Sequence, residues 1–203
     1  MNHWDISDYG LYFFSGYLAW NLFANSSTLA AESIVGNATY VTRVYVPKAI
    51  FPLAAVAVNV IDFAVGFSII LMLAAILGRA SVAMLFVPLA VVITVVFVAG
   101  ASLLCASYNV MLRDFRHLLA SVLFIWFFLS PILWKPSVMP SDVSTFIAWN
   151  PIAPFLRLFQ SPIWASTVPT FHDVALASGI SVVVFAVGLL QFIRSERDFY
   201  YYL

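Results

Sequence analysis

Charge is scarce in this sequence. Nine basic and nine acidic side chains are spread over 203 residues, 9% of the chain, where a soluble domain carries about 25%. With 64% hydrophobic residues, a water-exposed surface cannot be assembled, and lipid is the solvent this composition tolerates. The formal net charge is zero, which leaves no basic excess for nucleic acid. Cysteine occurs once, as Cys105 inside an apolar run, so no disulfide can form within the chain. His3, His117 and His172 lie in separate segments, without the i, i+3 or i, i+4 ligand pairing of a metal site. No Gly-x-x-x-x-Gly-Lys-Ser/Thr loop is present to cradle ATP phosphates, and no Gly-x-Ser-x-Gly elbow to carry a nucleophile. Residues 1–5 lack a basic cluster, so targeting falls to the first apolar span.

What is abundant is charge-free apolar sequence. A membrane helix needs about 20 such residues, and five stretches qualify: 9–31, 50–77, 83–108, 118–134 and 174–193. The first is diluted by Asn21, Asn25, Ser26, Ser27 and Thr28, and the second carries Asp62. Backbone groups cannot go unpaired in hydrocarbon, and barrel-type alternation is missing, so the expected class is an all-α integral membrane protein with about five spans forming a single domain over 1–203. Arg43 and Lys48, Arg113 and Arg116, and Arg194 and Arg197 fall in alternate connections, six of the nine Lys and Arg. The positive-inside rule puts those connections and the C-terminus in the cytoplasm.

The connections hold the remaining information. Residues 37–47 mix polar and apolar side chains, with Val41 and Val44 one turn apart and Pro47 and Pro52 placed to stop a helix. This fits a short interfacial helix, or a plain basic loop that anchors topology. In the next cytoplasmic connection Arg113 and Asp114 are neighbours, suited to pairing with other segments or capping a helix end. The external stretch 136–172 contains six of the ten prolines, with apolar pieces at 143–149 and 155–164 too short to span. Re-entrant or interfacial helices are expected there, with Trp134, Trp149 and Trp164 at the interface.

Three candidates for chemistry stand out. Asp62 is the acid inside a strong span, with Asn59 one turn before it. An intramembrane acid is a functional hypothesis by default. It has no intramembrane partner here, which favours an inter-helix hydrogen bond or a water-facing wall. Tyr9, Phe13, Tyr17 and Trp20 share one side of the first span, suited to stacking on sugar rings or to packing. Small residues from Ala99 to Ala106, with Ala101/Cys105 and Ser102/Ala106 at small-x-x-x-small spacing, predict close helix packing.

Five segments, in order, resemble one family. They are Ser15–Phe23 with Gly16, Trp20 and Phe23; Asn37–Lys48; Asn109 with Arg113-Asp114; Leu129-Ser130-Pro131-Ile132; and Trp149-Asn150-Pro151. The chain is similar to the membrane subunit of ABC-2-type exporters of polysaccharides and polyol phosphates, the O-antigen, capsule and teichoic-acid group. The resemblance implies that Asn37, Thr39, Tyr40, Val41, Arg43, Val44, Pro47 and Lys48 form a coupling helix that docks on a separate ABC ATPase. That ATPase would bind ATP and Mg, with no cofactor in this chain. Asn109, Arg113 and Asp114 would form a cytoplasmic loop motif. Ser130, Pro131, Trp149, Asn150 and Pro151 would belong to an external gate. A homodimer would enclose a conduit for a lipid-linked glycan, with Tyr9, Phe13, Tyr17, Trp20 and Asp62 as wall candidates, in a bacterial cytoplasmic membrane. The family's pattern has six spans, so this chain is expected to lack an N-terminal interfacial helix and the first span. Thr42-Arg43 stands where the family has two basic residues. The chain is not expected to be an enzyme. The competing expectations are an ion-coupled secondary transporter centred on Asp62 and an ABC-2 exporter of a small lipid or drug.

Overall fold

A computed structural model describes residues 6–43, 46–112, 114–134 and 149–202 of the chain, the side chains of Ile6, Ser7 and Thr42 excepted. The described residues form helices and connecting turns: α1 Ile6–Val35, α2 Ala38–Arg43, α3 Ile50–Ile76, a 3-10 turn Val82–Phe86, α4 Val87–Met111, α5 Phe115–Leu129, α6 Ala153–Trp164, α7 Phe171–Ser195 and α8 Phe199–Tyr202. Among the described residues, three stretches are both long and apolar enough to cross a membrane: Ile50–Ile76, Val82–Met111 and Phe171–Ser195. The protein is a multi-pass, all-α membrane protein.

Local chemistry explains the boundaries. Pro52 was expected to stop a helix, but it sits in the first turn of α3, where the missing N–H has no intrahelical partner to lose. α3 ends at Gly78, whose φ of +69° lets Arg79 N–H reach Ala74 O at 2.8 Å and Gly78 N–H reach Ala75 O at 3.1 Å, a double closure of the last carbonyls. α5 also differs from the expected span 118–134. It starts at Phe115 and stops at Leu129, because Pro131 offers no N–H and disfavours helix at Ser130. Its 15 residues rise about 22 Å, short of the roughly 30 Å hydrocarbon thickness. α1 runs for 30 residues, but its Asn, Ser and Thr residues make it less apolar than the three stretches above.

Contacts divide the chain into two compact units, each drawing on several helices. In the unit comprising Met1–Trp20, Phe63–Thr94 and Ile125–Gly179, α6 is buried on nearly all sides. Phe159 packs edge-on against Phe63 and Phe67 of α3, each at 5.4 Å. Trp164 meets Tyr12 of α1 at 5.8 Å. The expected apolar piece 155–164 is thus a short helix enclosed by protein, the setting in which a non-spanning helix is tolerated at membrane depth. Arg157 pairs with Asp173 at 2.7 Å, and Asp8 pairs with Arg79.

In the unit comprising Asn21–Asp62, Val95–Phe124 and Ile180–Leu203, the core gathers Ile34, Val41, Leu103, Ala106, Val110, Phe192 and Phe199. α4 and α7 touch backbone to backbone where Gly100 meets Gly188. A Cβ on Gly188 would lie 2.2 Å from Gly100 O, and one on Gly100 would lie 2.4 Å from Phe185 Cα. The small-residue stretch expected to permit close packing does so here.

Candidate functional site

Of the expected coupling segment, six residues form α2. Its start is set by Asn37, whose carbonyl accepts from Tyr40 N–H at 2.9 Å and Val41 N–H at 3.0 Å, while its amide donates to Ser33 O at 2.8 Å. Val41 is the apolar anchor, buried in the core with Ile34, Phe192 and Phe199. Thr39, Tyr40 and Arg43 face outward, Tyr40 at 64% exposure. Pro47 is also exposed. Val44 lies outside the described residues.

Lys48 departs from a surface docking role. It is only 6% exposed. Its backbone N–H donates to Glu196 Oε1 at 3.3 Å, its ammonium donates to Glu196 O at 2.6 Å, and the ammonium lies 4.0 Å from the Tyr200 ring centre. Burial lowers its pKa below the ordinary lysine value, with the Glu196 carboxylate pulling the other way. No local sequence signal marks this, because the partner is 148 residues away.

The motif of Asn109, Arg113 and Asp114 resolves into a structural tie. Asn109 is buried at the end of α4. Its amide donates to Ala31 O of α1 at 2.9 Å, and its Oδ1 accepts from Arg116 N–H at 3.1 Å. The side chain therefore caps α5 from another helix, satisfying one of the donors a helix start leaves open. Asp114 supplies the carbonyl that accepts from His117 and Leu118 N–H. Arg113 lies outside the described residues. Arg116 pairs with Glu32 at 2.7 Å, a contact not anticipated from sequence. Its half-exposed setting makes it worth about 0–1 kcal/mol. Beside it opens a cleft of about 510 Å3 lined by Glu32, Ala38, Asn109, Arg116, His117 and Tyr202.

The Ser130-Pro131 and Asn150 motifs converge. Asn150 Oδ1 accepts from Trp126 Nε1 at 3.0 Å and from Ile152 N–H at 3.1 Å. Its amide donates to Ser130 Oγ at 3.1 Å and Leu129 O at 3.3 Å. Ser130 Oγ in turn donates to Trp126 O at 2.8 Å. Pro131 contributes its carbonyl, which accepts from Tyr12 OH at 2.9 Å and Gln160 Nε2 at 3.0 Å. Gln160 lies so close to α1 that a Cβ on Gly16 would meet its amide at 2.5 Å. Ser130, Pro131 and Asn150 are thus one hydrogen-bonded knot, completed by Tyr12, Trp126 and Gln160, which sequence reasoning missed. Trp149 and Pro151 stand outside it, Trp149 at 84% exposure. The rest of the expected gate, residues 136–148, lies outside the described residues.

The conduit candidates separate. Tyr9, Phe13 and Tyr17 stack in series along α1, with centroids 6.2 and 5.4 Å apart and planes within 17° and 16°. Tyr9 is exposed, and Phe13 and Tyr17 are half-buried. Trp20 is buried, edge-on to Trp126 at 6.0 Å, so its ring packs protein. Asp62 is exposed near the middle of α3. Asn59 is buried and donates to Ala55 O of its own helix at 2.9 Å. The two do not share an accessible face, because three residues are 60° short of a full turn and the burial boundary falls between them.

No family model matches the chain. The chain is 25% identical over 198 residues to the O-antigen export system permease protein RfbA of Myxococcus xanthus, an alignment covering 96% of this chain and 76% of that protein. Two proteins of the same name from Klebsiella pneumoniae are 24% and 23% identical over 196 residues, each covering 96% of this chain and 75% of the relative.

Proposed function

We propose that this chain is the membrane subunit of an ABC transporter that exports a lipid-linked, O-antigen-type polysaccharide across the bacterial cytoplasmic membrane, driven by a separate ATPase. The observation that carries this reading is similarity along 96% of the chain to proteins that are each named an O-antigen export system permease. The chain forms no bonds in its substrate, and ATP and Mg are held by the partner.

Geometry supports a place for the motor to act. α2 is too short to span, is anchored through Val41, and turns Thr39, Tyr40 and Arg43 outward. Nucleotide-driven closure of two ATPases pushes on α2 in each of two membrane subunits, and the helices packed on it move as bodies. The stacked rings of Tyr9, Phe13 and Tyr17 offer faces on which sugar rings pack. The basic connections, and with them the C-terminus, lie in the cytoplasm.

Arg43→Glu tests the docking role. Reversing an interface charge costs on the order of 1–3 kcal/mol, so recovery of the ATPase with the purified subunit should drop about tenfold, with membrane insertion unchanged. Recovery at the wild-type level would remove α2 from the interface. Asp62→Asn separates motor from ion gradient. ATP-driven export should continue within about twofold, because an amide keeps most of the hydrogen bonding of a carboxylate. If the substitution abolishes export, and export by the unaltered protein collapses with the proton gradient, an ion-coupled transporter is the better description.

A further inference from the structure

We infer that residues 196–202 form a clamp that joins α2 to α7, with Lys48 and Tyr200 as its positioning residues. The inference rests on α2 being the segment the ATPase drives. Lysine is almost never fully buried unless paired, yet Lys48 is closed off in the connection between α2 and α3. Its carbonyl accepts from Phe51 N–H at the start of α3, while its backbone N–H and its ammonium both reach the C-terminal segment: backbone N–H to Glu196 Oε1, ammonium to Glu196 O, and ammonium over the Tyr200 ring at 4.0 Å and the Phe199 ring at 5.6 Å.

The same junction has an apolar half. Val41 of α2 shares one core with Phe192 of α7 and Phe199 of α8, and the Phe192 and Phe199 rings meet edge-on at 5.5 Å. α8 has four residues, too few to hold a helix by its own hydrogen bonds. Its position is therefore set by what it grips. A charge-assisted hydrogen bond is short and directional, and a cation over a ring face adds a second constraint on the same nitrogen. A push on α2 then reaches α7 without slack, giving the motor a hold on the last long helix as well as on α3.

The test uses the complex with its ATPase in lipid. Spin labels are placed by Ala38→Cys, in α2 but not among its outward-facing residues, and Tyr201→Cys in a Cys105→Ala background, on one of the two membrane subunits of each complex, and export is scored separately on the unlabelled single variants. The expected inter-label distance is one narrow distribution, the same without nucleotide and with ATP trapped. Lys48→Met should widen it about twofold as the segment opens locally. It should also lower polysaccharide exported per ATP hydrolysed about tenfold, with ATPase recovery unchanged. Tyr200→Leu should act in the same direction, and Tyr200→Phe, which keeps the ring, should match wild type. Because the Tyr200 ring is exposed, that pair of variants carries the test if Lys48→Met does not fold. A wild-type distance that shifts with ATP, or unchanged width and coupling in Lys48→Met and Tyr200→Leu, overturns the clamp. Loss of ATPase recovery in Lys48→Met also overturns it, making Lys48 a docking contact. A wild-type chain that recovers no ATPase sinks the exporter reading instead, while the distance width still reports on the clamp.

Discussion

Gly188→Leu should abolish accumulation of the folded protein, and Gly188→Ala alone should lower its stability sharply. A Cβ at position 188 would sit 2.2 Å from Gly100 O and 2.9 Å from Gly100 C, against 3.4–4 Å for an ordinary contact. The obstruction is backbone, so no rotamer change relieves it. α4 and α7 must part by roughly 1 Å, a gap that forfeits a quarter to a half of each dispersion contact along the seam. Overpacking of this kind costs about 3 kcal/mol for the smallest side chain. For a chain of this size that lowers the melting temperature by roughly 6–12 °C. Gly179→Ala, on the same helix with nothing within 4 Å of its Cβ, is the control and should stay within about 0.5 kcal/mol of wild type. Thermal unfolding in detergent, read with the size-exclusion profile, measures both. Equal melting temperatures for Gly188→Ala and Gly179→Ala would mean that the two helices do not meet at this point.

Asn150→Leu should be the most damaging substitution between α5 and α7. It removes four hydrogen bonds at once, to Trp126, Ile152, Ser130 and Leu129. At about 1 kcal/mol each in a water-exposed protein the loss is about 4 kcal/mol. Membrane-embedded side-chain bonds average nearer 0.6 kcal/mol, so about 2–4 kcal/mol brackets it. Asn150→Asp supplies the graded case. It keeps the two acceptor contacts from Trp126 and Ile152 and loses both donated bonds, so roughly half the destabilisation remains. The indole of Trp126 reports directly, since releasing its N–H from Asn150 should shift its fluorescence maximum in Asn150→Leu and leave it in place in Asn150→Asp. An unchanged spectrum in Asn150→Leu would show that the knot is not formed in lipid.

Much of the helical plan was legible because it depends on local quantities. Charge-free runs mark where helices can lie in hydrocarbon. The stop of α5 before Pro131 was not read, since the expected span ran on to 134, although the missing N–H at Pro131 explains it; the end of α3 at Gly78 uses a positive φ that only the structure shows. The candidate sites were legible as words and illegible as sentences. Ser130-Pro131 and Asn150 stood out separately, but their union needs the chain to return across 20 residues. Tyr12, Trp126 and Gln160 carry no motif and enter only through the partners they find. Asn109 was marked, yet its work as the cap of α5 depends on a neighbouring helix. Lys48 reads from sequence as a basic anchor on a polar connection and becomes buried only because the chain's far end arrives to cover it.

By itself the sequence determined the solvent, the helical class, the alternation of basic connections, and the presence of a short amphipathic piece near residue 40. These follow from transfer free energies and hydrogen-bond requirements that each segment meets alone. Tertiary structure decided that Gly100 and Gly188 are a contact while Gly179 is not, that Trp20 is buried while Tyr9 is exposed with its hydroxyl on Leu133 O, and that Lys48 faces Glu196 and Tyr200. Those outcomes depend on distances between segments far apart in the chain, which close only when the helices pack, and neither composition nor periodicity encodes them.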